Sequence, residues 1–141
     1  MRDNSSPTQA VIEEIMKGRN LEELLEVKPL SDVSGILNSF MGRKNLSTEA
    51  LFERAGMSRS YGFRVMNGSR MPSRDALLRL ALVLGMNIEQ TQYFLKCGEG
   101  DRLSGQRPRD VLLMKAINDG NSLDEVDELL VRNGMRPLMT N

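Results

Sequence analysis

The chain has 141 residues, 40% hydrophobic and 27% charged, a length and balance that suit one compact domain with an extension and exclude global disorder. With no histidine and one cysteine, Cys97, it has no zinc site of the Cys/His kind, no Ser-His-Asp or Cys-His catalysis and no intramolecular disulfide. Lys/Arg and Asp/Glu cancel at 19 each; the opening MRDNSSPTQ is not an apolar signal stretch, and no run approaches the ~18 apolar residues of a membrane span, so a soluble cytoplasmic protein without membrane association is expected.

Apolar residues recur at helical spacing throughout, and Val, Ile and Thr nowhere alternate with polar residues over a strand length. An all-α fold is predicted. Residues 1–30 read as an N-terminal helical arm, with Pro7 in a first turn, Val11, Ile12 and Ile15, an interruption at Gly18, then Leu21, Leu24, Leu25 and Val27 before Pro29. The next helix opens at Ser31 or Asp32 and runs through Val33, Ile36, Leu37 and Phe40 to stop near Gly42. Ser47 caps a helix carrying Leu51, Phe52 and Ala55, and Gly56 follows as the left-handed residue that turns the chain. Ser58 caps a short helix over about 59–66, weakened by Gly62 and followed by the turn formers Asn67, Gly68 and Ser69. Pro72 and Ser73 start a helix through Ala76, Leu77, Leu80, Ala81 and Leu84 to Gly85, and residues 88–95 form a fifth that ends before Gly98. Residues 98–107 read as a flexible linker. Pro108 opens a helix to about Asn118 with Gly120 as its stop, and Ser122 with Glu125 makes a capping box for a last helix to about Asn133. Residues 108–141 are thus a C-terminal helical hairpin, with an apolar face too large for an isolated pair to hide. Its partner is either the rest of the chain or a second subunit, and a mixture of the two is expected.

Charge is uneven along the chain. Residues 43–79 carry Arg43, Lys44, Arg54, Arg59, Arg64, Arg70, Arg74 and Arg79 against Glu49, Glu53 and Asp75, a local excess of five positive charges, whereas the flanking stretches are slightly acidic. Within that segment lie two short helices separated by a turn containing Gly, the second polar at its start. Duplex reading demands that layout: the first helix crosses the phosphate backbone and the second lays short polar or cationic side chains from its N-terminal turn against base edges. Ser58, Arg59, Ser60 and Arg64 meet the need, and Tyr61 offers an apolar surface for a thymine methyl.

The stretch LSTEALFERAGMSRSYGFRVMNGSRMPSRDALLRLALVLGMNIEQ, residues 46–90, resembles the phage-repressor and Cro-like (XRE) helix-turn-helix proteins, in its Leu-Ser-Thr opening, its Gly turn, its Ser-Arg-Ser start to a second helix and its Pro-Ser followed by Leu-Ala-x-x-Leu-Gly. The resemblance implies a five-helix, lambda-repressor-like domain over 31–97 that binds double-stranded DNA, usually as a homodimer on a two-fold operator. It further implies base contacts from Arg59, Ser60 and Arg64 and phosphate contacts from Thr48, Asn67, Ser69 and Arg70; Ser58 and Tyr61 are expected to join the first set, and Arg43 and Lys44 the second. The chain departs from the pattern at Thr48, where Gln is common, at Phe52, where a small residue is common, and at Gly62, where a branched aliphatic is common. The last two are expected to be a single volume-conserving exchange, with the Phe52 ring over Gly62.

Tyr61 and Phe63 share a helix whose buried stripe is served by Met57, Gly62, Val65 and Met66, so at least one aromatic is expected to be exposed. Other signals are discounted. Gly98-Glu99-Gly100 lacks a preceding strand and a third glycine and carries acids that repel phosphate. Asp124, Glu125, Asp127 and Glu128 suit the positive end of a helix better than a metal. No catalytic constellation, cofactor or metal site is expected, and the function is a DNA-binding transcriptional regulator. Two other functions compete: a protein-interaction adaptor working through Tyr61, Phe63 or the C-terminal hairpin, and an antitoxin-like protein that combines DNA binding with capture of a partner.

Overall fold

The computed structural model describes residues 32–139, and the N-terminal arm expected over 1–30 lies outside them. The described residues form seven helices and no strand: α1 (Val33–Lys44), α2 (Thr48–Arg54), α3 (Arg59–Met66), α4 (Arg74–Val83), α5 (Ile88–Cys97), α6 (Pro108–Asn118) and α7 (Leu123–Arg132). Six begin with a side chain that closes an orphan backbone donor, from Asp32, Ser47, Ser58, Ser73, Asn87 and Ser122, each such cap contributing about 1 kcal/mol. The seventh, α6, starts on Pro108, whose missing N–H and fixed φ suit the first helical position.

One correction concerns α1. It does not stop near Gly42 but continues to Lys44, and Asn45 ends it in the left-handed conformation at φ 53°. Asn adopts that region at little cost, so Gly42 is an ordinary helical residue and Arg43 and Lys44 sit in the last turn, where cations offset the negative helix end.

A single apolar core runs through the molecule. Leu37, Leu51, Phe52, Leu77, Leu80, Leu84, Phe94 and Leu95 join Leu113, Val126, Leu130 and Leu138 in one cluster, so the hairpin's apolar face is buried within the chain, with α6 on α5 and α7 on α4. Segment 98–107, expected to be flexible, is instead fastened down. Leu103 is buried; the Gln92 carboxamide accepts its N–H at 2.7 Å and donates to its carbonyl at 2.9 Å. Arg74 donates to the carbonyls of Asp101 and Arg102.

Candidate nucleic-acid interface

Two contacts fix how α2 and α3 meet. Gly56, at φ 73°, turns the chain after α2 in a conformation that costs a residue with a Cβ about 1–2 kcal/mol. Arg79 of α4 holds that turn from below, donating from Nε to the Ala55 carbonyl at 2.8 Å and from Nη2 to the Gly56 carbonyl at 3.2 Å. Further along, the Phe52 ring lies against the backbone of Gly62, as the volume exchange requires: a Cβ at position 62 would stand 2.7 Å from Phe52 Cγ. The large residue on α2 and the missing side chain on α3 let the two helices approach across the turn.

That packing buries Gly62 and Val65 and turns the opposite side of α3 outward. Ser58, Arg59, Ser60 and Arg64 are exposed, and Arg64 makes no ion pair among the described residues. Tyr61 is half-buried against the core, with the Arg70 guanidinium 5.6 Å from its ring centroid; Phe63 is the exposed aromatic, at 69%. No carboxylate lies in the first turn of α3, so the positive end of the helix is not neutralised by its own residues.

The side chains expected at phosphates are all exposed, but their surroundings differ. Thr48 lies beside Arg59 and Phe63, around an apolar hollow between α2 and α3 of about 330 Å³. Asn67 accepts the Ser69 N–H at 2.9 Å, so its carboxamide oxygen shapes the turn after α3 and leaves its NH2 to face solvent. Ser58 Oγ likewise accepts the Tyr61 N–H at 3.0 Å as the helix cap. Arg43 stacks over Phe40 at 4.8 Å, and Lys44 reaches the Gly85 turn between α4 and α5, away from the cluster around the start of α3.

Four charged partners, Glu49, Asp110, Arg109 and Arg136, were not legible from spacing. Glu49, in the first turn of α2, binds the Arg59 guanidinium, both side chains remaining largely exposed. A carboxylate therefore competes for a cation that the sequence expects at a base edge. Arg74 and Arg79 contribute to the basic count of 43–79 but are drawn inward, Arg74 onto Asp110 at 2.8 Å. Asp75 is neutralised by Arg109 and Arg136. The exposed charge of the segment is thus Arg43, Lys44, Arg54, Arg59, Arg64 and Arg70 against Glu49 and Glu53, and the surface remains cationic.

A family model described as a helix-turn-helix domain matches residues 36–94, a span that runs from α1 into α5. Comparison with curated proteins and with solved structures returns no match.

Proposed function

We propose, from the match of residues 36–94 to a helix-turn-helix domain family model, that this chain is a sequence-specific, duplex-DNA-binding transcriptional regulator of the cytoplasm that lays α3 in the major groove. The observation that carries the reading is the outward face of α3: Arg59 is 80% exposed, Ser60 and Arg64 are open beside it, and the first turn of the helix carries no carboxylate of its own. Arg59 and Arg64 then reach guanine edges, Ser58, Ser60 and Tyr61 complete the base-reading set, and Thr48, Asn67, Ser69 and Arg70 hold phosphates, while Arg43 and Lys44, set back at the end of α1, add positive charge to the surface. Two copies assembled as a homodimer on a two-fold operator would present two such faces one helical turn apart, about 34 Å.

Selection from random duplex DNA tests this reading. The intact chain enriches a defined site, and Arg59→Ala weakens binding to that site by about 1–3 kcal/mol while relaxing preference at one base pair. Arg70→Ala weakens all sequences alike and lowers the salt slope by about 1. Uniform, salt-insensitive retention of every duplex would end the proposal. A second reading, protein recognition, is favoured by one observation, the exposed Phe63 ring at the edge of the apolar hollow between α2 and α3; it predicts that Phe63→Ala abolishes partner capture and that no duplex is bound at low salt.

A further inference from the structure

The α4–α5 and α6–α7 hairpins are one unit used twice. Residues 72–103 correspond to 107–138 at a constant offset of 35 residues, the step from Arg74 to Arg109: Arg74-Asp75 recurs as Arg109-Asp110, Leu77-Leu78 as Leu112-Leu113, Gly85 as Gly120 and Leu95 as Leu130. The helix bounds keep the offset, α5 over 88–97 and α7 over 123–132, as do the left-handed turns at Gly85 and Gly120 and the capping boxes Asn87/Gln90 and Ser122/Glu125.

Long-range hydrogen bonds repeat as well. The Gln92 side chain accepts the Leu103 N–H at 2.7 Å, and Asp127, its counterpart, accepts the Leu138 N–H at 2.6 Å. Arg74 donates to the carbonyls of Asp101 and Arg102, and Arg109 donates to those of Arg136 and Pro137.

The two units face each other reciprocally. Arg74 of the first pairs with Asp110 of the second, and Arg109 of the second with Asp75 of the first; α4 packs on α7 while α5 packs on α6. Such an exchange of equivalent contacts marks an isologous interface about a local two-fold, whereas stacking by translation supplies only one of each pair. The second unit also ends the assembly. Leu80, Leu84 and Met86 are buried in the core that α1–α3 share with the first unit, and their counterparts are Lys115, Asp119 and Asn121, polar residues suited to a capping copy.

We infer that the α4–α5 surface is a homotypic docking site, and that the C-terminal hairpin fills it in place of the same hairpin of a second copy of this chain. In the intact molecule the site is closed from within. Displacing α6–α7 opens it to a second copy, with Arg74 meeting Asp75 of the other chain in each direction, since Asp75 is the counterpart of Asp110.

The test is sedimentation of the full-length chain without DNA, so that its failure leaves DNA reading standing. Asp110→Arg sets like charges within the molecule but leaves the pairing between copies intact: it is expected to double the sedimenting mass through an association absent from the parent chain, and adding Asp75→Arg is expected to abolish that association. Where Asp110→Arg loses its helical circular dichroism, the isosteric Asp110→Asn replaces it and is expected to show the same association at a smaller dimer fraction. A variant that stays monomeric while hydrogen exchange shows α6 and α7 released would overturn the inference, as would association that persists with Asp75→Arg.

Discussion

The Phe52 ring occupies the space that Gly62 leaves by having no side chain, with Cγ and Cδ2 standing 2.7 and 2.9 Å from where a Cβ would sit. Gly62→Ala should therefore destabilise the chain although alanine is the better helix former. The propensity gain is roughly 0.5–1 kcal/mol, and forcing a methyl into a packed contact costs about 1–3 kcal/mol. Phe52 is only 2% exposed, so its ring has little room to yield. Urea midpoints check the balance: Gly62→Ala falls below the parent, and Phe52→Leu in the same chain recovers part of the loss. A midpoint at or above the parent would mean that the ring moves freely.

Glu49 and Arg59 give a second prediction. Their pair is solvent-exposed on both sides, so breaking it costs only about 0–1 kcal/mol of stability. Glu49→Gln removes a carboxylate from the face proposed to meet phosphate and releases the guanidinium. Affinity for duplex DNA should rise several-fold at low salt, with a steeper salt dependence, while the unfolding midpoint stays nearly unchanged. Fluorescence anisotropy at two salt concentrations reads both quantities; equal affinity in parent and variant would place Glu49 away from the duplex.

Much of this was legible in the sequence because local signals decide it. Ser47, Ser58, Ser73 and Ser122 cap helices where serine precedes an apolar run, and Gly56, Gly85 and Gly120 adopt the positive φ that turns require. Helical spacing requires one of Tyr61 and Phe63 to be exposed, and the exchange between Phe52 and Gly62 is implied by the resemblance to the helix-turn-helix pattern, from which both positions depart. What escaped depends on residues far apart. Asn45 rather than Gly42 ends α1 because Asn also tolerates the left-handed region, and a pattern that waits for Gly stops too early. Segment 98–107 reads as a linker by composition, yet Leu103 is the buried counterpart of Leu138. The two hairpins share few identities, with Lys115, Asp119 and Asn121 replacing apolar residues, so their common plan becomes plain once helix bounds and hydrogen bonds are set beside the sequence.

Arg79 holds the turn that leads into α3 from its buried side. Its guanidinium satisfies the Ala55 and Gly56 carbonyls at the end of α2, and charge-assisted hydrogen bonds of this kind contribute about 1.5–3 kcal/mol. Arg79→Met keeps most of the apolar stem and removes the donors. The expected result is a loss of that order in unfolding free energy, with faster hydrogen exchange at Met57, whose N–H bonds the Phe52 carbonyl at 2.8 Å. DNA affinity should fall through disorder of the turn, so that added osmolyte restores part of it. Unchanged exchange at Met57 would show that Gly56 alone holds the turn.

The reciprocal Arg–Asp pairs make the junction of the two hairpins sensitive to acid. Burial pushes the Asp75 carboxyl up, but hydrogen bonds and charge from Arg109 and Arg136 outweigh it and hold the group below its ordinary 3.8. Burial likewise raises Asp110, and Arg74 together with the Ser104 N–H brings it below 3.8. A carboxyl whose folded pKa lies under its unfolded value binds fewer protons when folded, so it stabilises the fold at neutral pH and loses that contribution as pH falls from about the ordinary value through the lowered one. Stability should therefore drop between pH 4 and the acid limit, about where carboxylates ordinarily titrate. Hydrogen exchange should then show protection lost in α6 and α7 before α2 and α3. The double variant Asp75→Asn/Asp110→Asn begins less stable at neutral pH and should decline less steeply over the same window. Parallel curves for the two chains would assign the acid transition to other carboxylates.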